Sequence, residues 1–151
     1  MKNCLIYLFV FFLCGSLFAE DLRMGRESYN WYFGTQAGIT FNTHDKSPEP
    51  INGCEIITLE GCASVSDSEG KTIFYTDGFY VKNKFNENMP DGSYLNGHYS
   101  ATQSSLIAKK PGSGNIYYVF TVDYQIGKNG FCYSLVDMNS DNSLGAVIEK
   151  N

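Results

Sequence analysis

What most limits this chain is that its apolar residues come in short runs, each closed by glycine, asparagine, aspartate or serine. Beyond residue 20 no stretch keeps the i, i+3, i+4 spacing that an amphipathic helix needs. The runs are rich in β-branched and aromatic residues, as strands are. Trp31-Tyr32-Phe33, Ile39-Thr40-Phe41, Ile56-Ile57-Thr58, Cys62 to Ser66, Thr72 to Thr76 and Phe79-Tyr80-Val81 read as strands in the first half. Ser104 to Lys109, Asn115 to Val122 and Phe131 to Val136 read as strands in the second. The segment holding Pro48, Pro50 and Gly53 reads as a loop, and so does the polar stretch from Asn83 to Gly97. The fold class is all-β.

The two halves also repeat. Laying TLEGCASVSDSEGKTIFY (58–75) over ATQSSLIAKKPGSGNIYY (101–118) gives an offset of 43 residues. Ala63 and Val65 then meet Leu106 and Ala108, and Ile73-Phe74-Tyr75 falls over Ile116-Tyr117-Tyr118. A period of about 40–45 residues with several strands per unit is the spacing of β-propeller blades. The expectation is a β-propeller-like chain of about two four-stranded blades plus an N-terminal strand, in an incomplete ring. A plain β-sandwich is the alternative.

The first residues carry an address. Lys2 supplies a positive start, Cys4 to Leu13 (CLIYLFVFFL) is an unbroken apolar run too short to span a bilayer comfortably, and Ala19 precedes Glu20-Asp21. Residues 1–19 read as a cleaved signal peptide, leaving residues 20–151 as one domain. The destination is secreted, extracellular or cell-surface, with the periplasm as an alternative, and no transmembrane segment is expected after cleavage. The formal charge is −5, and losing Lys2 makes it more negative. With no basic stripe, nucleic acid is disfavoured as a partner.

An oxidising destination permits a disulfide, and Cys54–Cys62 is the local choice, at a separation that suits neighbouring hairpin strands. A metal site from His44, Cys54 and Cys62 fits no established ligand spacing, and Cys132 reads as a packed apolar residue.

Two aspartates end aromatic strands, Asp77 in TIFYTDG and Asp123 in NIYYVFTVD. They are either an acid–base pair or turn residues, and Asp77-Gly78 is a hairpin-turn signal. Asp137, Asn139 and Asp141 make the D-x-N-x-D opening of a calcium loop, but the twelfth position is Ile148 and not a carboxylate. Calcium is therefore a weak candidate, and no other cofactor is expected. The two histidines, His44 and His98, sit in polar loops, and Ser100, Ser104 and Ser105 lack a nucleophile-elbow context. Tyr75, Tyr80, Tyr117, Tyr118 and Tyr133 serve either sheet packing or stacking on sugars.

The ordered set NWYFG (30–34), TLEGCASVSD (58–67), IFYTDG (73–78), SATQSS (100–105), KPGSGNIYYVFTVD (110–123) and YSLVDM (133–138) resembles large secreted surface proteins of gliding-type bacteria. The resemblance covers nearly all of residues 20–151. It implies a propeller-like region of several blades, of the kind followed by PKD domains and a sorting domain for type IX secretion. It brings no catalytic residue. The chain stops at Lys150-Asn151, where another blade is expected, so it resembles a truncated or split member. The function that follows is a non-catalytic, exported binding or structural unit whose partners are further blades, other proteins completing the sheet stack, or surface glycans. The alternatives are part of a carbohydrate-active or quinoprotein-like propeller enzyme, or a non-functional truncated product.

Overall fold

A computed structural model describes residues 25–151, so the signal sequence expected over residues 1–19 lies outside the described residues. Eleven strands form three antiparallel sheets, each a simple up-and-down meander. The first sheet holds β1 (Asn30–Tyr32), β2 (Gly38–Thr40) and β3 (Glu49–Ile51). The second holds β4 (Ala63–Ser66), β5 (Thr72–Thr76), β6 (Tyr80–Asn83) and β7 (Asn88–Ser93). The third holds β8 (Ser105–Lys109), β9 (Ile116–Val122), β10 (Phe131–Asp137) and β11 (Ala146–Glu149). Among the described residues no helix is long and apolar enough to cross a membrane.

The all-β class and the two four-stranded units agree with the sequence, but the strand inventory differs in four places, one of them β11, which no strand reading covered. The expected single N-terminal strand is a sheet of three. Its third member, β3, contains Pro50, and Pro50 sits opposite Ile39 on the sheet edge, where its missing N–H costs no ladder bond. Ile56-Ile57-Thr58 is not a strand. Its polar groups bond to other loops: Ile56 O accepts from Gln36 N (3.0 Å), and Thr58 Oγ1 donates to Tyr99 O (2.7 Å). The polar stretch 83–97 contains β7, another edge strand, in which Pro90 is tolerated for the same reason.

The sheets pack face on face in series. Strand alternation gives β5 two faces: Phe74 joins the core shared with the third sheet, and its neighbour Tyr75 joins a second cluster with Cys54, Ile56 and Tyr32. The larger core combines Val65, Phe74, Val81 and Met89 of the second sheet with Tyr117, Val119, Val136 and Val147 of the third. First strands lie beside first strands, β1 by β4 and β4 by β8, and the last strands β7 and β11 also meet.

Polar side chains lock this arrangement. The buried Asn30 amide donates to Gly70 O (2.7 Å), Thr72 Oγ1 (3.0 Å) and Ser66 Oγ (3.1 Å), which ties β1 to the turn between β4 and β5. Tyr75 donates its hydroxyl to Asn86 Oδ1 (2.6 Å) and accepts from Glu55 N (3.1 Å).

Candidate functional site

The outer face of the third sheet carries a cluster of exposed apolar and aromatic side chains. Ladder register sets what it displays. Leu106 pairs with Phe120, and Phe120 pairs with Tyr133; Ala108 pairs with Tyr118, and Val122 with Phe131. Because Val119 and Val136 point into the core, their neighbours in the strands point out. Leu106 is 61% exposed and Phe131 69%. The rings form a continuous layer: Phe120 stacks on Phe131 (5.6 Å, 12°) and on Tyr118 (5.5 Å, 19°), and Tyr118 meets Tyr133 edge-on (5.8 Å). At its β8 corner a groove of about 350 Å³ is lined by Gly61, Cys62, Gln103, Leu106, Phe120 and Phe131. An apolar layer of this kind on a sheet face suits another sheet better than water.

The tyrosines divide between the two roles weighed for them. Tyr75 and Tyr117 are core residues, whereas Tyr118 and Tyr133 belong to the outer layer. Tyr80 packs with Phe79 (4.9 Å) and Tyr94 (5.8 Å) in a separate surface cluster.

The two strand-ending aspartates serve turns. Asp77 Oδ1 accepts from Phe79 N (2.9 Å) and Tyr80 N (2.7 Å), while Gly78 adopts φ +88°, open to glycine without strain. Asp123 accepts from Tyr124 N (2.7 Å) and Asn129 N (3.1 Å), and these amides hold its carboxyl below the usual carboxylate range. Both carboxylates are thus occupied by their own loops, and nothing aligns them as an acid–base pair.

In the D-x-N-x-D stretch, Asp137 Oδ1 accepts from Asn139 N (2.9 Å) and Asn139 Oδ1 accepts from Asn115 Nδ2 (2.7 Å). Asp141 opens a short 3-10 turn with φ +48°. Two of the three candidate side chains thus already engage an oxygen in bonds to neighbouring protein groups. Among the described residues no group of three or more His, Cys, Asp or Glu side chains gathers as a metal site.

Cys54, Cys62 and Cys132 are free thiols. Cys54 lies in the irregular connection before β4 and Cys62 immediately precedes β4, so no hairpin ladder pairs them. Both border the Tyr75 cluster, where burial first, then Cys54 and Asp77, pushes the Cys62 thiol up to about 11. Cys62 Sγ donates to Tyr32 O (3.1 Å). Cys132 is half-buried, donating to Asn129 O (3.2 Å).

His44 is exposed. His98 stacks between Tyr99 (4.3 Å) and Tyr124 (4.8 Å), and its Nδ1 accepts from the backbone N–H of Ser100 (3.1 Å), not from a hydroxyl. Ser104 donates its buried hydroxyl to Gly61 O (2.6 Å), with Asp77 O at 3.0 Å. Ser105 Oγ is buried without a partner. Among the described residues no serine hydroxyl is bonded to a histidine side chain for nucleophilic attack.

Sequence reasoning missed the outer face as a site because no motif marks it. Its signal is the alternation LEU-x-ALA in β8 against Y-x-F-x-V in β9, legible only once the buried face is known. Set against known protein families, curated proteins and solved structures, the chain matches none.

Proposed function

We propose that this chain is a structural and binding unit of a propeller-like stack of sheets, exported to the cell surface, whose outer third-sheet face takes a further antiparallel sheet. One observation carries the reading. Val65 on β4 is covered by the third sheet, whereas Ala108, its counterpart by the repeat on β8, faces outward beside Leu106 on the same strand face, with Leu106 largely bare. The face that the second sheet buries is the face that the third sheet leaves open.

The occupant is argued from continuity. The first sheet packs on the second and the second on the third, each bringing its first strand beside the preceding first strand. A four-stranded sheet added in the same way extends the series and covers the aromatic layer, as neighbouring blades do in propellers. Export is supported by the apolar run from Cys4 to Leu13, and the surface setting by the resemblance to secreted proteins of gliding-type bacteria.

The test is a photo-crosslinking amino acid at Leu106 in the producing cell, with a second at Trp31 on the first sheet as control. Adducts at position 106 that map to strand residues of another sheet are expected. Equal labelling at both positions, or adducts to lipid alone, contradicts the proposal.

A further inference from the structure

We infer that the cleft between the second and third sheets, beside Tyr117 near the start of β9, binds a neutral hydroxyl-rich ligand of mono- or disaccharide size. The cleft has a volume of about 340 Å³, within the small end of ligand pockets at about 300–1,000 Å³. It lies on a different surface from the aromatic outer face and shares no lining residue with the groove there.

The decisive group is Tyr117. The residue is only 6% exposed, its ring is held edge-on by Phe74, and it lines the cleft with a hydroxyl that keeps contact with solvent and bonds no other group among the described residues. The hydroxyl is open on the cleft side, where a ligand hydroxyl can replace water as its hydrogen-bond partner. Burial first, then the carboxylates of Glu27 and Asp67, raise its pKa, so at neutral pH the hydroxyl remains a donor as well as an acceptor.

The other polar groups select the ligand class. Asp67 commits Oδ1 to the amides of Glu69 (2.9 Å) and Lys71 (2.9 Å), which leaves Oδ2 as an acceptor. Glu27 adds a second carboxylate on the same rim. Lys109 supplies an ammonium that makes no ion pair among the described residues, and Asn139, its oxygen already used by Asn115, presents its NH₂. A simple cation would meet Lys109, and a simple anion would meet two carboxylates. Vicinal hydroxyls both donate and accept, so a saccharide satisfies carboxylates, ammonium, amide and phenol together. Ile73 and Met138 give the cleft apolar walls for the C–H faces of a sugar ring.

The experiment is saturation-transfer NMR on the full chain with methyl glucoside, methyl galactoside, methyl mannoside and cellobiose as probes. Putrescine, calcium chloride and inorganic phosphate are run as separate arms. Saturation transfer to at least one saccharide is expected, weakened about tenfold by Tyr117→Phe, the loss of one hydrogen bond, and also by Glu27→Gln. Leu106→Lys, on the outer face, is expected to leave it unchanged. The inference is overturned if no saccharide responds, if Tyr117→Phe binds as tightly as the parent, or if only putrescine, calcium or phosphate binds at this cleft.

Discussion

The rings of Phe74 and Tyr117 meet edge-to-face across the interface of the second and third sheets, with centroids 5.4 Å apart and planes at 82°. One ring comes from each sheet, and both sit in the same core cluster. Phe74 is fully buried. Phe74→Ala is therefore expected to cost about 3–5 kcal/mol through lost burial and the cavity left behind. Tyr117→Phe keeps the ring and removes a hydroxyl without a partner, so its stability is expected to stay within about 0.5 kcal/mol of the parent. Urea denaturation of the two variants checks the contrast.

Buried polar groups give a second contrast. Asn30 bonds Gly70 O and two hydroxyls at the joint of the first and second sheets, and Asn30→Ala removes all three contacts from a buried site, leaving Gly70 O only the longer bond from Asn42 Nδ2 (3.3 Å). The expected cost is about 1–3 kcal/mol. Thr121 is as deeply buried, but its Oγ1 has no partner. Thr121→Val swaps that hydroxyl for a methyl of similar shape and is expected to be neutral or stabilising. A loss comparable to that of Asn30→Ala would show that the Thr121 hydroxyl is satisfied after all.

Alkaline stability reports on Tyr75. Burial is the main cause that pushes its phenol from 10.0 up to about 12, with the Glu55 amide acting the other way. The folded state thus holds its proton more tightly than the unfolded chain, and the stability from this group is intact below about pH 10. It is lost as the pH rises through about 12. Tyr75→Phe is expected to flatten the fall in stability between those limits, read from denaturation midpoints alongside tyrosinate absorbance. An unchanged slope would place Tyr75 in contact with solvent.

Six strands of the second and third sheets, β4 to β6 and β8 to β10, were legible because their β-branched and aromatic runs end in Gly, Asn and Asp turns, whereas the short run of β11 was not read as a strand. The strands carrying Pro50 and Pro90 were not, since proline marks a loop unless the strand is known to lie on an edge. The repeat was legible as a period and misleading in register. The 43-residue offset makes Phe74 and Tyr117 equivalent, yet Phe74 faces the following sheet and Tyr117 the preceding one. A one-residue slip reverses the face of a strand, and a hydrophobic run such as IYYVF cannot reveal which face each residue takes. On β4 and β8 the same offset keeps Val65 and Ala108 on corresponding faces, because those strands alternate. Asp77 read correctly as a turn residue from its following glycine. Tyr117 gave no sequence sign of an unpartnered hydroxyl, which arises only where Glu27, Asp67 and Lys109 converge from distant segments.

The central claim is that the outer face of the third sheet is built to be covered. Sedimentation velocity of the purified protein over a range of concentrations tests it most directly, with Leu106→Lys/Phe131→Lys as the comparison. The parent is expected to self-associate as concentration rises, the aromatic layer of one copy covering that of another. The double variant is expected to stay monomeric with an unchanged far-ultraviolet circular dichroism spectrum. A folded parent that remains monomeric across the whole range would contradict the account.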